Sequence, residues 1–187
     1  SRSQRRDGLT LRAFQQLVSE NYSLQEVTLE EGIPEGLNYL VIAGAQEPFS
    51  DYELFQLDQA LMRGTNLAIF QDSLVNTSPN PRMPPRFEPN STGLEKLLNH
   101  YGLELEEAIV MDENCYKQKM PQEQGGGEQP IYFAPLIRKD NINHQLPYLR
   151  NIKGLIAFKN SPVQLRSQEL KDKDLHGEIL FSSSKQS

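Results

Sequence analysis

The stretch Tyr39-Leu40-Val41-Ile42-Ala43-Gly44-Ala45-Gln46-Glu47-Pro48-Phe49-Ser50, with the residues that follow it to Phe70, decides the fold class. Tyr39 to Ala43 shows no polar alternation, which is how a strand covered on both faces reads. A central strand is expected there. Ser50-Asp51-Tyr52-Glu53 then fits a capping box, in which the serine side chain accepts from the amide three residues on and the glutamate reaches back. A helix should start at that point, with Leu54, Leu57 and Leu61 toward a core and Phe55 and Met62 beside them. Gly64 supplies the left-handed residue that closes such a helix. Asn66 to Phe70 reads as a second buried strand. Strand, helix and strand within so short a span predict a right-handed crossover between parallel strands, so the class is α/β.

Toward the N-terminus, Leu11, Phe14, Leu17, Val18 and Tyr22 recur three or four apart, which predicts an amphipathic helix. Val27 and Leu29 alternate with Glu26 and Thr28, which predicts a short strand ended by Gly32, Pro34 and Gly36. Toward the C-terminus, Pro79, Pro81, Pro84, Pro85 and Pro89 mark an exposed loop over 77–91. Thr92 to Glu95 repeats the capping pattern and opens a helix carrying Leu94, Leu97, Leu98 and Tyr101, stopped by Gly102. A strand at Ala108 to Met111, a flexible loop over 116–130 with Gly125, Gly126 and Gly127, and strands at Ile131–Ile137 and Leu155–Phe158 complete the reading. The expected architecture is a three-layer, open, mainly parallel sheet in one α/β domain over 9–187, after a linker at 1–8.

A chain of 187 residues suits one domain, since domains run to ~150 residues. Asp and Glu number 25 against 19 Lys and Arg, and phosphate neutralisation needs the opposite balance, so no nucleic-acid partner is expected. The apolar runs fall far short of the ~20 residues needed to cross a bilayer, and no signal-peptide pattern opens the chain. Its start at Ser1-Arg2-Ser3, without Met, reads as a fragment of a longer product. Arg2, Arg5 and Arg6 there suit either lipid headgroups or water.

The single cysteine excludes an internal disulfide and a cysteine-built zinc site. Cys115 also lacks the glycine neighbours of a nucleophile turn. His100, His144 and His176 lie far apart, with no ligand pair at helical spacing, and read as surface residues. The triple glycine lacks the Lys and Ser/Thr of a phosphate loop. Glu104, Glu106 and Glu107 read as a solvated turn. No catalytic group, metal or cofactor is therefore expected. Open parallel sheets bind ligands beyond the carboxyl ends of their strands. Those ends carry Gln46 and Glu47, then Gln71 and Asp72, then Asp112 and Glu113. A ligand site would draw on Gln46, Glu47, Asp72 and Asp112; the alternative is that these residues only cap strands and helices.

The run Leu40 to Ser50, continued by Glu53-Leu54, Leu57 to Gly64 and Asn66-Leu67, resembles the auxiliary domain of gliding-motility-type ABC transporters. Gly93-Leu94 to Leu98, Tyr101-Gly102, Val110-Met111-Asp112, His144 to Leu155 and Ile179 to Ser184 extend the resemblance over most of the chain. It differs from the family in having Arg63-Gly64-Thr65 in place of paired glycines and no proline beside His144. The resemblance implies a flavodoxin-like or class I glutamine-amidotransferase-like fold, related to intraflagellar-transport domains, with the family's first strand lying before this sequence. It also implies a non-catalytic, extracytoplasmic (periplasmic) domain of an inner-membrane protein. Membrane helices outside this sequence would anchor it beside ABC-transporter membrane subunits or another protein partner. The competing readings are a hydrolase or amidotransferase-like enzyme using the strand-end crevice, and a sugar- or peptide-binding module.

Overall fold

The computed structural model describes residues 12–80 and 83–187, so the linker expected at 1–8 lies outside the described residues. Residues 12–19 form helix α1. Strands β1 (Tyr39–Ala43) and β2 (Asn66–Phe70) pair in parallel, from Tyr39 opposite Asn66 to Ala43 opposite Phe70, with α2 (Asp51–Met62) crossing between them. The capping box forms. Ser50 Oγ accepts from the Glu53 amide at 3.2 Å, and the Glu53 carboxylate accepts from the Ser50 amide at 2.7 Å. The backbone bond, then the hydroxyl, lowers the Glu53 pKa.

Helix α2 turns Leu54, Leu57 and Ala60 inward against Ile33 and against Leu94 and Leu97 of α3 (Leu94–His100). Leu40, Ile42, Leu67 and Ile69, alternate residues of β1 and β2, line the same core. Burying one such leucine contributes about 1.5–3 kcal/mol relative to leaving it in water. Tyr101, at the end of α3, donates to Asp58 of α2 at 2.8 Å, and burial with that bond pushes its phenol up to about 12. Gly93, rather than Thr92, caps α3, and its amide donates to the Glu95 carboxylate at 3.0 Å.

The opposite face of the parallel pair is uncovered among the described residues: Tyr39 is 61% exposed and Phe70 60%. An unbroken apolar run marks a strand but carries no period, so it does not report which faces find neighbours. The apolar residues of α1 behave alike, with Phe14 and Leu17 exposed. Beyond α1, the Tyr22 ring meets Tyr39 edge-on, with centroids 6.1 Å apart.

The rest of the chain is antiparallel. Strands β3 (Leu74–Asn76) and β4 (Phe87–Pro89) pair across the base of the proline-rich loop, so that excursion is shorter than 77–91. Pro89 closes the ladder, a place where a missing amide is tolerated. Strand β5 (Leu103–Leu105) pairs with β9 (Val163–Leu165), and β6 (Cys115–Lys119), β7 (Glu128–Arg138) and β8 (Gly154–Ile156) form a sheet in that order. A short helix, α4 (Ser167–Asp172), follows β9. The class is α/β, with small mixed sheets and β1–β2 as the parallel pair among the described residues.

Three local expectations change. Ala108 to Met111 is not a strand; the strand after α3 is β5, and Val110 is held by its amide on Asn160 O at 2.9 Å. Leu29–Glu31 is a 3-10 turn rather than part of a strand. Much of 116–130 is the β6–β7 hairpin, and Gly125, Gly126 and Gly127 take positive φ in its turn. The polar run of β6 hides this pairing, because its ladder is supplied by β7 and most of its residues face water. A second apolar cluster joins Ile137, Ile142 and Leu149 with Leu146, Ile152 and Leu155. The C-terminal segment lies against it: Asn143 N donates to Leu180 O at 2.8 Å and Ser182 N to Asn141 O at 2.9 Å.

Candidate functional site

The loops leaving β1 and β2 are stapled by two side-chain amides. Gln71 Nε2 donates to the carbonyls of Ala45 and Asp72, both at 3.1 Å, and Asn90 Nδ2 reaches the same two at 2.9 and 3.0 Å. Next to them, the buried Ser73 hydroxyl lies 2.6 Å from Ser161 Oγ, which also accepts from the Ser73 amide at 3.1 Å. This pins the segment after β8 beside the end of β2. The same segment is fixed from its other side by Lys159 N on Phe133 O at 2.8 Å.

A cleft of about 270 Å³ results, with Asp72, Leu74 and Asn76 on one wall and Phe158, Lys159 and Ser161 on the other; Phe87 and Ile109 complete it. Lys159 has φ +55°, the left-handed region that costs a non-glycine residue roughly 1–2 kcal/mol. Its ammonium lies 5.9, 5.5 and 5.4 Å from the ring centroids of Phe87, Phe133 and Phe158. Those distances are in the range where a ring quadrupole attracts a cation. Burial raises the Asp72 pKa. Asp72 is exposed at the mouth of the cleft, and its carboxylate has no hydrogen bond or ion pair among the described residues, so partial burial alone moves it upward.

Of the four residues expected at the strand ends, Asp72 lines this cleft. Gln46 and Glu47 are exposed and follow Ala45, whose carbonyl is stapled to the Asp72 loop. Asp112 is engaged elsewhere. It is 1% exposed; its Oδ1 accepts from Asn114 N at 2.8 Å and Ser184 Oγ at 2.6 Å, and its Oδ2 accepts from Ser184 N at 2.7 Å. Burial pushes its pKa up, but the bonds from Ser184 and Asn114 outweigh that and hold it low. Asp112 therefore latches the C-terminal segment to the body.

Phe87, Phe158 and Lys159 had no place in the sequence reading of the site. Phe158-Lys159 directly after an apolar run was the available signal, but its meaning depends on the chain distant from it that returns to face it. Cys115 is buried in β6. His144 Nδ1 bonds Leu149 O at 3.1 Å, and His100 meets the Tyr101 ring and the Lys173 ammonium. Among the described residues no cluster of three or more His, Cys, Asp or Glu side chains assembles a metal site, and no helix is long and apolar enough to cross a membrane.

The pattern of the ABC-type uncharacterized transport system family matches residues 3–187. The chain belongs to this family. It is thus a transport-associated protein whose family context is an ABC-type transport system. Comparison with curated proteins found no match. Among solved structures the chain is similar to the mmIFT52 N-terminal domain, at 18% identity and a TM-score of 0.55, over 82% of this chain and 64% of that one. The likeness is one of fold, and the family member described here spans less than two thirds of that domain's length.

Proposed function

We propose that this chain is a non-catalytic binding domain of an ABC-transporter auxiliary protein of the gliding-motility type. In this reading the domain lies on the extracytoplasmic, periplasmic side and is anchored by membrane helices outside these residues. The β1–α2–β2 unit is, in the same reading, a Rossmann-like crossover. Transporter membrane subunits, or a ligand they handle, engage the strand-end region at Asp72, with Gln46 and Glu47 on its exposed flank.

Family membership supports the transport role. The observation that carries the binding role is the Asp72 cleft, where an unpaired carboxylate and aromatic rings meet and where, among the described residues, the hydroxyl of Ser161 pairs with Ser73 rather than with a base. Cys115, the strongest nucleophile by residue type, lies in the β6–β7 ladder, and His100 and His144 are engaged elsewhere.

Placement is tested by a Gln46→Cys substitution in the full-length protein, with any cysteine outside these residues replaced, using a membrane-impermeant maleimide on sealed right-side-out vesicles; buried Cys115 keeps the background low. Labelling without detergent is expected, and labelling only after permeabilisation overturns the placement. Amidase or esterase turnover abolished by Asp72→Ala or Cys115→Ala overturns the non-catalytic reading.

A further inference from the structure

Three phenylalanine rings from separate parts of the fold converge on one ammonium group: Phe87 from β4, Phe133 from β7 and Phe158 from the segment after β8. Phe133 and Phe158 meet edge to face at 5.5 Å, which leaves their faces turned to different directions around the cation. The group held there is the chain's own Lys159, on a backbone conformation that lysine rarely adopts. Residues in such conformations persist where the surroundings over-determine them, and they cluster at ligand clamps. Asp72 lines the same cleft, exposed at its mouth, and forms no ion pair with Lys159.

We propose that this cleft binds a small organic cation, an alkylammonium or quaternary ammonium head group, which displaces the Lys159 ammonium from the phenylalanine rings and supplies the counter-charge that Asp72 lacks. The proposal rests on the binding reading above and names its ligand class. Electronegative ring faces and an unpaired carboxylate disfavour an anion. A neutral guest would forgo the attraction of both the ring faces and the carboxylate. The volume of about 270 Å³ lies just below the range for drug-sized ligands, so the guest is small. Lys159 then acts as a built-in competitor for the ring faces.

The test is a calorimetric titration of the 187-residue chain with choline and n-butylammonium, and with 3,3-dimethylbutan-1-ol as the neutral isostere of choline. Lys159→Gly removes the competitor and suits the left-handed backbone, and at least about tenfold tighter binding of one cationic probe is expected. Lys159→Asn, which also tolerates that conformation, replaces it should the glycine variant not fold. In the same background Phe158→Leu and Asp72→Asn should each weaken binding at least about tenfold. The alcohol should not bind. Equal binding of the alcohol, or no binding of either cation to both Lys159 variants, overturns the cation assignment and leaves the transport-auxiliary reading standing. Hydrolytic turnover would instead overturn the non-catalytic binding reading, whatever the titration shows.

Discussion

The region from Ile33 to Tyr101 and the region from Leu103 to the C-terminus are built from different kinds of contact. In the first, one strand, one helix and one strand follow each other, and α2 packs on the strands it joins and on α3. In the second, the β6–β7 hairpin is local but the contacts that join its parts are distant along the chain: Leu103 pairs with Leu165, Asp112 holds Ser184, and Ile142 bridges to Phe181. Loop closure must be completed before such contacts stabilise anything, so the second region depends on several distant segments arriving together. The first region stands on apolar burial, the second on a thin apolar cluster supplemented by backbone ladders and one buried carboxylate.

Leu57→Ala should break the first region most severely. Leu57 is fully buried in the larger cluster, and removing its side chain should cost about 2–5 kcal/mol in denaturant unfolding. A loss below about 1 kcal/mol would mean that the cluster collapses around the gap and is less specific than its packing indicates.

Asp112→Asn is the matching blow to the second region and should cost about 1–3 kcal/mol, because the latch loses its charge and one of its two acceptor oxygens, which leaves one Ser184 donor facing an amide NH2. Hydrogen exchange should rise first at Ser182 and Ser184, with the α2 amides still protected. Uniform exchange over both regions would show a single cooperative unit. The folded pKa of Asp112 lies below its ordinary 3.8, so its stabilising contribution is complete above that value and is lost as pH falls through the folded pKa. Asp112→Asn should therefore flatten the acid limb of the stability profile.

Gly102→Ala probes the joint between the regions. Gly102 has φ +74°, an added Cβ would stand 2.9 Å from Leu170 Cδ2, and its carbonyl accepts from Arg166 N at 2.8 Å. A loss of about 1–2 kcal/mol is expected from the left-handed conformation, read as a lower unfolding midpoint. Ser50→Ala is the mildest change, at about 1 kcal/mol, since it removes one cap of α2 and leaves the apolar face intact. A circular-dichroism melt shifted by more than Gly102→Ala would reverse this order and give the helix start more weight than the joint.

The first region was legible because its signals are local. Ser50 and Glu53 sit at the spacing of a cap, Leu54 and Leu57 at the spacing of a helix face, and the apolar runs at 39–43 and 66–70 are strands. The second region was misread where its residues carry no period: Lys117 to Lys119 face water and become a strand through the partner opposite them. Asp72's place beside the cleft was legible because it directly follows β2, where the chain leaves the carboxyl end of a parallel strand. Asp112 satisfied the same rule on paper, but the segment expected to place it, Ala108 to Met111, is not a strand.

By itself the sequence determined the α/β class, the β1–α2–β2 crossover and the acidic balance that argues against a nucleic-acid partner, since each follows from spacing or composition within short windows. Only the tertiary structure decided that one face of β1–β2 is uncovered among the described residues, that Asp112 is a latch, and that the Lys159 ammonium lies over the rings of Phe87, Phe133 and Phe158 in the region of Asp72. Burial and electrostatic pairing belong to neighbours in space, and for these residues the neighbours lie dozens of positions away along the chain.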